Sequence, residues 1–416
     1  MNIAILSYHT CPLATLGGKD TGGMNVYVRD LTRMLGILGV HADVFTRSQD
    51  DHVPHVLHDL GCGNRVVHIP AGAEIPITKT QLQAHLPQFV EGILEFAQQK
   101  EICYNAIYSH YWLSGLAGLE LSNQWKIPIV HMFHTLALLK NQIAKNESEI
   151  EGVERINGEG KVAKTANALI CATSNEENQL KTLYGVTNTP IHIIPPGVDT
   201  SRFYPIPNDE AKAFIGVPTD EKLILYVGRI EPLKGVDTLI RAISQLRRSD
   251  VFSDCPHYLA IIGGDPDPES PDTNQEMRRL RGLTEELGLN DMVVFLGKRD
   301  QATLPYYYSA AEIVVMPSHY ESFGMVALEA MACGTPVIAT QVGGLQYLVQ
   351  DGVTGLIVPN DDVNALEERL TMLMCKSDLR IKIGQQAAVY AKGFSWEVIA
   401  PKIIDVINLT KLNAIN

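Results

Sequence analysis

Short apolar runs rich in β-branched residues alternate with segments of helical periodicity along the whole chain. The first half contains NIAILSY, ADVFT, RVVHIP, AIYSHY, PIVHMFH, ALICAT and IHIIPP, and the second half contains LILYVGR, YLAIIGG, MVVFLG, EIVVMPS, PVIAT and GLIVP. Nearly continuous apolar runs of this length are typical of strands that are buried on both faces of a parallel sheet. The alternation predicts an α/β protein with two doubly wound, Rossmann-like domains, one in each half.

The boundary between the halves is predicted within residues 193–209, IIPPGVDTSRFYPIPND, which contain four prolines and no helical period. A chain of 416 residues is also too long for one ordinary core. We therefore expect an N-terminal domain at residues 1–200 and a C-terminal domain at residues 201–392. Residues 393–416 are expected to form a last helix, with Ser395 at its N-cap. Two such domains are expected to face each other across a cleft, with their chemistry on the loops that follow strands.

The composition excludes several classes of function. The net charge of −13 disfavours nonspecific binding to nucleic acid or anionic lipid, and no apolar run is long enough to cross a bilayer. The N-terminus lacks the basic region of a signal peptide. Seven scattered cysteines form no C-x-x-C pair, which predicts reduced thiols, a cytoplasmic location and no zinc site.

A glycine-rich loop, TLGGKDTGGMNVYVRDL, follows the first predicted strand. Gly22 and Gly23 immediately precede an amphipathic helix. Glycines at a helix N-terminus let backbone N–H groups approach an anion, and the helix dipole favours the negative charge. A plain flexible turn explains these residues equally well.

Two basic residues follow the first strand of the second half, in YVGRIEPLKGVDTLIRA. Arg229 stands at the strand end, Lys234 comes after a short turn, and a helix is predicted to begin near Gly235. Two cations beside a helix N-terminus are suited to clamp a diphosphate. The alternative is a solvated surface pair.

Two carboxylates stand eight residues apart in ESFGMVALEAMACGTPVIAT. We expect a helix from Phe323 to Cys333, with Glu321 in the loop before it and Glu329 two turns into it. Glu329 has almost no polar face to share, so the alternative of a capping acid and an exposed helical glutamate is disfavoured. We predict that both acids bind hydroxyl-rich groups, and that the free amides at the helix start bind phosphate.

Together these loops resemble those of the retaining nucleotide-sugar glycosyltransferases of family 4, which have the GT-B fold. The resemblance rests on GGMNVYV, on Arg229 and Lys234 in GRIEPLKG, and on the E-x7-E pair, and it covers essentially the whole chain. It implies that the last helix crosses back onto the first domain. It also implies that the first domain binds the acceptor and the second domain binds the donor.

The resemblance implies a role for each matching position of the donor site. Arg229 and Lys234 would hold the diphosphate, Glu329 the ribose and Glu321 the donor sugar, while His134 would contact that sugar from the first domain. The implied donor-binding set is Gly22, Gly23, Arg229, Lys234, Glu321, Ser322, Phe323, Gly324, Met325 and Glu329. The implied catalytic set is His134, Arg229, Lys234 and Glu321.

Two groups of the family resemble the chain most, and both use phosphorylated acceptors. One group is the sucrose-phosphate synthases, which join glucose from UDP-glucose to fructose 6-phosphate, and we expect this activity. The other group moves N-acetylglucosamine from its UDP derivative to D-inositol 3-phosphate. The implied acceptor-binding residues are His9, Asn25, Lys79, Tyr111, Thr135 and Arg155. Taken singly, Lys79 and Arg155 are also compatible with ordinary surface charges.

Retention without an obvious nucleophile predicts front-face substitution, because Glu321 is the one candidate carboxylate and the resemblance assigns it to sugar hydroxyls. No metal is then essential, and magnesium is expected only as a companion of the nucleotide. The acids of GGDPDPESPD, residues 263–272, are expected in an exposed loop. Partners are therefore a UDP-sugar and a phosphorylated sugar or cyclitol, with no nucleic acid and no integral membrane contact.

Two further classes of protein remain as alternatives. A nucleotide-sugar epimerase would share the architecture but would need a pair of acid–base carboxylates in the first domain, and no persuasive pair is found there. A nucleotide-sugar sensor would keep Arg229 and Glu329 but would not need an acceptor pocket. Lys79, Thr135 and Arg155 argue against the sensor.

Overall fold

The computed structural model describes residues 1–14, 21–144, 147–248, 257–265 and 275–415, except for the side chains of residues 79, 80, 148 and 413–415. The chain divides into two compact units. The first comprises Met1–Ala14, Gly23–Gly197 and the segment that begins at Trp396, and the second comprises Val198–Ser395 with residues 21 and 22. The chain passes between the units at Gly197, within the proline-rich segment. The six described cysteines are free thiols.

The first unit is built on a sheet that has eight strands among the described residues, in the order β3-β4-β2-β1-β5-β6-β7-β8. Neighbouring strands are parallel except for β3 and β4. The strands are β1 (Asn2–Leu6), β2 (His41–Arg47), β3 (Val56–Leu57), β4 (Arg65–Ile69), β5 (Ala106–His110), β6 (Ile129–Met132), β7 (Ala168–Cys171) and β8 (Ile191–Ile193). Every strand expected in this half is present, and β3 is an addition.

Helices cover the faces of this sheet because each presents an apolar stripe, such as the buried Val26, Tyr27 and Leu31 of the first helix. Thr173 caps one of them by accepting a hydrogen bond from the Glu176 N–H at 3.2 Å. The helices are α1 (Gly23–Ile37), α2 (Lys79–Leu82), α3 (Leu86–Gln99), α4 (Trp112–Trp125), α5 (Ala137–Ile143), α6 (Val153–Thr165) and α7 (Ser174–Leu183), with 3-10 turns at Gln83–His85 and Glu147–Glu149.

The second unit contains a parallel sheet with six strands among its described residues, in the order β11-β10-β9-β12-β13-β14. The strands are β9 (Lys222–Val227), β10 (His257–Ile262), β11 (Val293–Gly297), β12 (Ile313–Met316), β13 (Val337–Thr340) and β14 (Gly355–Val358). All six were expected. The strand order reverses between β9 and β12, and the loops that follow these two strands therefore flank the place where open α/β sheets bind ligands.

The helices of the second unit complete its core. They are α8 (Asn208–Ile215), α9 (Val236–Arg247), α10 (Gln275–Glu286), α11 (Leu304–Ala310), α12 (Met325–Ala332), α13 (Leu345–Leu348), α14 (Val363–Cys375) and α15 (Ser377–Ala391), with 3-10 turns at Pro232–Lys234 and Lys392–Phe394. The α/β, doubly wound architecture predicted for both halves is confirmed.

The last helix, α16 (Trp396–Ile415), belongs to the first unit, although it follows the second in the chain. It packs on α1 and β6. Trp396 is buried against Tyr27, with ring centroids 5.2 Å apart, and a Cβ atom on Gly197 would lie 2.5 Å from the Trp396 ring. Among the described helices, α16 included, none has the length and apolar character needed to cross a bilayer.

Candidate active site

Lys234 and Glu321 form an ion pair in the second unit. The distance from Lys234 Nζ to Glu321 Oε2 is 2.5 Å, and both side chains are about six-sevenths buried. Lys234 closes the turn after β9, and Glu321 lies in the loop after β12. The two loops that flank the strand-order reversal thus carry one charge each, and the charges meet.

Close backbone packing fixes the turn that carries Lys234. Gly235 has φ 62°, and a Cβ atom there would lie 2.1 Å from the Pro317 carbonyl oxygen. The His319 N–H donates a 2.9 Å hydrogen bond to the Leu233 carbonyl. Glycine is therefore required at position 235, because it accepts the left-handed conformation and leaves room for the neighbouring chain.

The loop that carries Glu321 is held in the same way from its other side. The Gly344 N–H donates to the Glu321 carbonyl at 2.9 Å. Gly343 has φ 45°, and a Cβ atom on it would lie only 1.8 Å from that carbonyl oxygen. The loops after β9, β12 and β13 therefore fix one another's positions through backbone contacts. As a result, the backbone that carries Glu321 is rigid.

Helix α12 begins directly after this loop with unsatisfied backbone donors. It starts at Met325, and its N-cap, Gly324, supplies no side-chain hydrogen bond. Within the described part of the chain, the backbone N–H groups of residues 322–326 donate to no acceptor. This helix start, with its positive dipole end, is suited to bind an anion such as a phosphate.

The predicted bounds of this helix are corrected by the structure. It runs from Met325 to Ala332 rather than from Phe323 to Cys333. The reason is Gly324, whose φ of 108° ends any continuation toward Phe323. Glu329 consequently lies about one turn into the helix instead of two.

Glu329 is 4% exposed, so the alternative of an exposed helical glutamate is wrong. Tyr308 donates its phenol hydrogen to Oε2 at 2.8 Å, and the Gln301 amide donates to Oε1 at 3.5 Å. Burial, followed by the charge of Glu329, raises the pKa of Tyr308 well above its usual value, which keeps the phenol a donor. No local sequence pattern indicated Tyr308 or Gln301.

Arg229 forms a different ion pair. Its guanidinium lies 2.7 Å from Glu231 Oε1, and its side chain is 39% exposed. A Cβ atom on Gly22 would lie 3.8 Å from Arg229 Nε, which places the glycine beside this side chain. Arg229 is therefore partly exposed and already paired, and a diphosphate would have to compete with Glu231 for its guanidinium. A single exposed pair of this kind is weak, about 0–1 kcal/mol.

In the first unit, the structure brings together Tyr111, Thr135 and Arg155 from three different elements. The Arg155 guanidinium lies 4.9 Å from the centre of the Tyr111 ring and donates to the Thr135 hydroxyl at 2.9 Å and to its carbonyl at 3.2 Å. The ring of His9 lies 4.3 Å from that of Tyr111. Four of the six implied acceptor residues therefore form one cluster.

Arg155 is not a surface charge, because only 6% of it is exposed. Its guanidinium pairs with Glu151 at 2.7 Å and with Glu159 at 2.8 Å, and Glu159 also accepts a hydrogen bond from the Ala137 N–H. The charge of Arg155 is thus balanced within the protein. Neither Glu151 nor Glu159 was predicted, although their i, i+4 spacing around Arg155 was a usable signal.

Asn25 and Lys79 complete the implied acceptor-binding set. Asn25 is 1% exposed, and its amide donates to Thr10 Oγ1 at 2.7 Å and to the Cys11 carbonyl at 2.8 Å. It therefore fixes the loop that leads from β1 toward α1, whose first residue is Gly23. Lys79 begins α2, and its side chain lies outside what the structure describes.

His134 adopts a left-handed backbone conformation, with φ 62°, and so does Tyr111, with φ 72°. Such conformations cost a non-glycine residue about 1–3 kcal/mol and concentrate at functional sites. Nε2 of His134 lies 3.0 Å from Nδ1 of His110. Burial lowers the pKa of His134 to about 3, so its imidazole is neutral near pH 7.

The described residues contain one group of side chains close enough to hold a metal ion, Asp50, Asp51 and His52, and all three are exposed. None of them belongs to the implied sites, and exposed acids commonly cluster without an ion. Within the acidic stretch 263–272, residues 266–272 lie outside the described residues. The expectation that no metal is essential remains a prediction.

Comparison with known proteins decides the family. The model for glycosyltransferase family 4 matches residues 21–202, and that for glycosyl transferases group 1 matches residues 207–390. The D-inositol 3-phosphate glycosyltransferase of Saccharomonospora viridis is 38% identical over 97% of this chain and 93% of its own length. The chain is a GT-B glycosyltransferase of family 4. This glycosyltransferase therefore acts with retention, and the matches favour transfer over the epimerase and sensor alternatives.

Two solved structures extend the comparison. The sucrose-phosphate synthase of Thermosynechococcus elongatus has a TM-score of 0.89 and 35% identity, and the alignment covers 100% of both chains. The Anabaena protein Alr3699/HepE, solved in complex with UDP and glucose, has a TM-score of 0.74 and 21% identity over 98% of this glycosyltransferase and 99% of HepE. The second likeness shows the fold alone.

Proposed function

We propose that this glycosyltransferase moves glucose from UDP-glucose to fructose 6-phosphate, with retention at the anomeric carbon. The observation that carries the proposal is the juxtaposition of the Lys234–Glu321 pair with a helix start whose amides are uncommitted. The similarity to the sucrose-phosphate synthase of T. elongatus over both full lengths supports this choice of substrates.

The donor diphosphate is proposed to bind Lys234, Arg229 and the amides of residues 322–325. An anion that binds Lys234 competes with Glu321 for the ammonium group, and the displaced carboxylate then becomes available to accept hydrogen bonds from hydroxyls of the donor sugar. Glu329 is proposed to bind the ribose, while Gly22 and Gly23 allow close approach of their backbone. His134, a neutral imidazole, is proposed as a hydrogen-bonding contact of the donor sugar.

Retention is proposed to occur by front-face substitution. The acceptor hydroxyl oxygen forms a bond to the anomeric carbon, the bond from that carbon to the diphosphate oxygen breaks, and the hydroxyl proton passes to the leaving diphosphate. Lys234, Arg229 and the amides of α12 stabilise the negative charge that develops on the leaving group. Glu321, which forms an ion pair with Lys234, accepts hydrogen bonds in this scheme and does not attack carbon.

The acceptor phosphate is proposed to bind at the Tyr111, Thr135 and Arg155 cluster with help from Lys79. Four hydrogen bonds or ion contacts already occupy the Arg155 guanidinium, which has five N–H donors. The remaining N–H, the Thr135 hydroxyl and the ammonium group of Lys79 would therefore share the phosphate. His9 and Asn25 are proposed to lie beside the acceptor hydroxyls.

A second candidate reaction is transfer of N-acetylglucosamine from its UDP derivative to D-inositol 3-phosphate. It is favoured by relatives with that name, including one from Kribbella flavida that is 39% identical over 96% of this chain. The same donor groups and the same anion-binding cluster would serve both reactions, because both acceptors carry a phosphate.

A grid of two donors against two acceptors tests the proposal. UDP-glucose and UDP-N-acetylglucosamine are each combined with fructose 6-phosphate and with D-inositol 3-phosphate, and the glycosylated product is measured by mass spectrometry. Of the four combinations, we expect only UDP-glucose with fructose 6-phosphate to give a product. Product only from the opposite pair would replace the proposal with the second candidate, and UDP release without a glycosylated acceptor in all four wells would contradict both.

A further inference from the structure

Three neutral histidines lie where β5 and β6 end. His110 is the last residue of β5, His131 lies within β6, and His134 follows β6 by two residues. His110 and His131 are fully buried, and burial lowers the pKa of all three far below the usual 6.5. No imidazolium is therefore expected here near pH 7, and each ring carries a single proton on one of its two nitrogens.

The 3.0 Å contact between His110 Nδ1 and His134 Nε2 requires that one of these nitrogens carry the proton. Nε2 of His110 is buried and has no hydrogen-bond partner among the described atoms. If His134 were the donor, the proton of His110 would have to sit on that isolated Nε2. If His110 is the donor, the isolated nitrogen is a bare acceptor instead. Buried N–H groups without acceptors are rare in native structures, so the second arrangement is favoured.

The neighbouring pair follows the same logic. Nδ1 of His131 lies 2.7 Å from Ser109 Oγ, and that hydroxyl also lies 3.5 Å from the Val130 carbonyl, to which it donates. A proton on Nε2 of His131 would be isolated, because that nitrogen is also buried and has no hydrogen-bond partner among the described atoms. The arrangement in which His131 carries its proton on Nδ1 and donates it to Ser109 is therefore favoured.

We propose that His110 is a positioning residue that donates from Nδ1 to His134 Nε2, and thereby holds the proton of His134 on Nδ1 for the substrate side. Nδ1 of His134 hydrogen-bonds to no other described group, and it is not sealed from solvent as His110 Nε2 is. The inference rests on the proposed function insofar as His134 contacts the donor sugar. In this tautomer, Nδ1 of His134 is a hydrogen-bond donor suited to a sugar hydroxyl oxygen. Its Nε2 already accepts from His110 and is not available to the substrate.

The surroundings explain how His110 can hold this position. Its ring makes edge contacts with Tyr108 and Tyr27, at centroid distances of 4.3 and 5.5 Å, and Tyr27 also contacts His134 at 5.1 Å. The phenols of the two tyrosines bond to each other at 2.7 Å. Both imidazoles thus pack against the ring of Tyr27, which restricts their orientation.

Nitrogen NMR of histidine-labelled protein tests the tautomer directly, without any substrate. The signals of His134 are assigned by their absence in His134→Gln. We expect a protonated Nδ1 and a bare Nε2 in the unmodified protein and in His110→Asn, whose amide can donate from a similar place. In His110→Phe, which keeps the ring and removes the donor, we expect the two tautomers of His134 to mix. A protonated Nε2 in the unmodified protein would overturn the proposal.

Kinetics then test the consequence for turnover. We expect His110→Phe to lower kcat about tenfold, the equivalent of one lost hydrogen bond, with the KM for the acceptor unchanged and with His110→Asn restoring most of the rate. His131→Phe is the matched control, because it alters an equally buried histidine that bonds to Ser109 instead of His134. An unchanged kcat in His110→Phe, or an equal loss in the control, would contradict a positioning role. If no substrate pair gives turnover, the proposed function fails, and the NMR result still decides the tautomer.

Discussion

At the residue scale, the central feature is that Lys234 and Glu321 neutralise each other across two loops. Each side chain is mostly buried, so removing one leaves the other charge in a place with little solvent. The pair is held by backbone that cannot shift easily, because Gly235 and Gly343 allow no side chain. Under the proposed function, donor binding would therefore be an exchange of ion-pair partners at fixed positions.

Replacement of Lys234 tests this exchange. We expect Lys234→Ala to lower kcat by about a hundredfold or more, since a preorganised positive charge on a leaving group contributes this much. The protein should lose some stability, because Glu321 keeps its charge with little solvent around it, but it should remain folded by circular dichroism. Lys382→Ala, which removes an exposed lysine of the same unit, is the control and should retain full activity. Unchanged turnover in Lys234→Ala would remove Lys234 from the diphosphate site.

Tyr308 is expected to hold Glu329 in place for the ribose. Tyr308→Phe removes only the phenol oxygen and leaves one carboxylate oxygen of Glu329 buried without its donor, which costs about 1–3 kcal/mol of unfolding free energy. The KM for the UDP-sugar should rise, while the KM for the acceptor should not. Urea unfolding and steady-state kinetics measure the two effects. A variant with unaltered stability and unaltered donor KM would show that the hydrogen bond is dispensable.

Arg155 should combine a structural role with acceptor binding. Arg155→Ala removes the buried ion pair with Glu159, whereas Glu151 keeps its pair with Lys140. Breaking a buried pair costs about 3–5 kcal/mol, so this variant should both melt earlier and bind fructose 6-phosphate more weakly. Arg155→Lys keeps a cation and separates the effects. We expect it to fold and to show a raised KM for the phosphorylated acceptor. An acceptor KM equal to that of the parent protein would mean that the phosphate binds elsewhere.

At the element scale, Glu176 in the first turn of α7 gives the first unit a pH-dependent stability. Burial raises its pKa to about 7, and the hydrogen bond from the Ala172 N–H opposes that rise only in part. In the unfolded chain its pKa is about 4.3. Between these values the native state holds a proton that the unfolded state has lost. The contribution is therefore fully present below about pH 4, and it is lost as the pH rises through 7.

The comparison of Glu176→Gln with the parent isolates this effect. We expect the free energy of unfolding of the parent to fall by about 2–3 kcal/mol relative to the variant between pH 5 and pH 8, as measured by urea titration. The three neutral histidines, His110, His131 and His134, act in the opposite direction, because their lowered pKa values reduce stability as the pH falls. Since both proteins contain them, they cancel in the difference. Parallel curves for the two proteins would contradict the raised pKa of Glu176.

The elements that were predictable from the sequence are those with a strong local signal. Strands such as β5 and β12 are buried over their whole length, so their apolar runs stand out. Strand β3 has only two half-buried residues and no pattern to detect. The start of α12 was misplaced because apolar residues continue past Gly324, and only the backbone conformation of that glycine shows where the helix begins.

The residues of the candidate site were predictable from the sequence for the same reason, whereas their contacts were not. Lys234 and Glu321 lie beside strand ends and helix starts, where the chemistry of an open sheet is expected, so the sequence indicated both. Their contact with each other joins residues 87 positions apart and depends on strand order. The hydrogen bonds that Tyr308 and Gln301 donate to Glu329 likewise form only once the strands are paired in the native order. The same holds for the hydrogen bond between His110 and His134. No local pattern could have predicted them.

At the scale of the whole molecule, the first unit depends on the last helix of the chain. The side chains of α16 that are buried within it are Trp396, Ile399, Ala400, Ile403, Val406, Ile407 and Thr410. The larger apolar ones each contribute about 1.5–3 kcal/mol, and a typical domain has a net stability of only about 5–15 kcal/mol. The stabilisation contributed by α16 is therefore comparable to the whole net stability of a typical domain.

Truncation after Ser395 should consequently abolish the cooperative unfolding transition of the first unit, as seen by calorimetry. Ile403→Ala should cost about 2–5 kcal/mol, whereas Leu409→Ala, at a position 49% exposed on the same helix, should cost little. If residues 1–395 kept a native-like first unit, α16 would be an accessory rather than a part of its core.

This return of α16 has a consequence for synthesis on the ribosome. The strands of the first unit are synthesised early, yet α16, one of the helices that pack on them, is encoded after the whole second unit. Segment 198–395 is therefore synthesised between these strands and the helix that completes their core. The part of the polypeptide that is translated first cannot finish folding until α16 has emerged, and it needs protection from aggregation throughout the synthesis of the second unit.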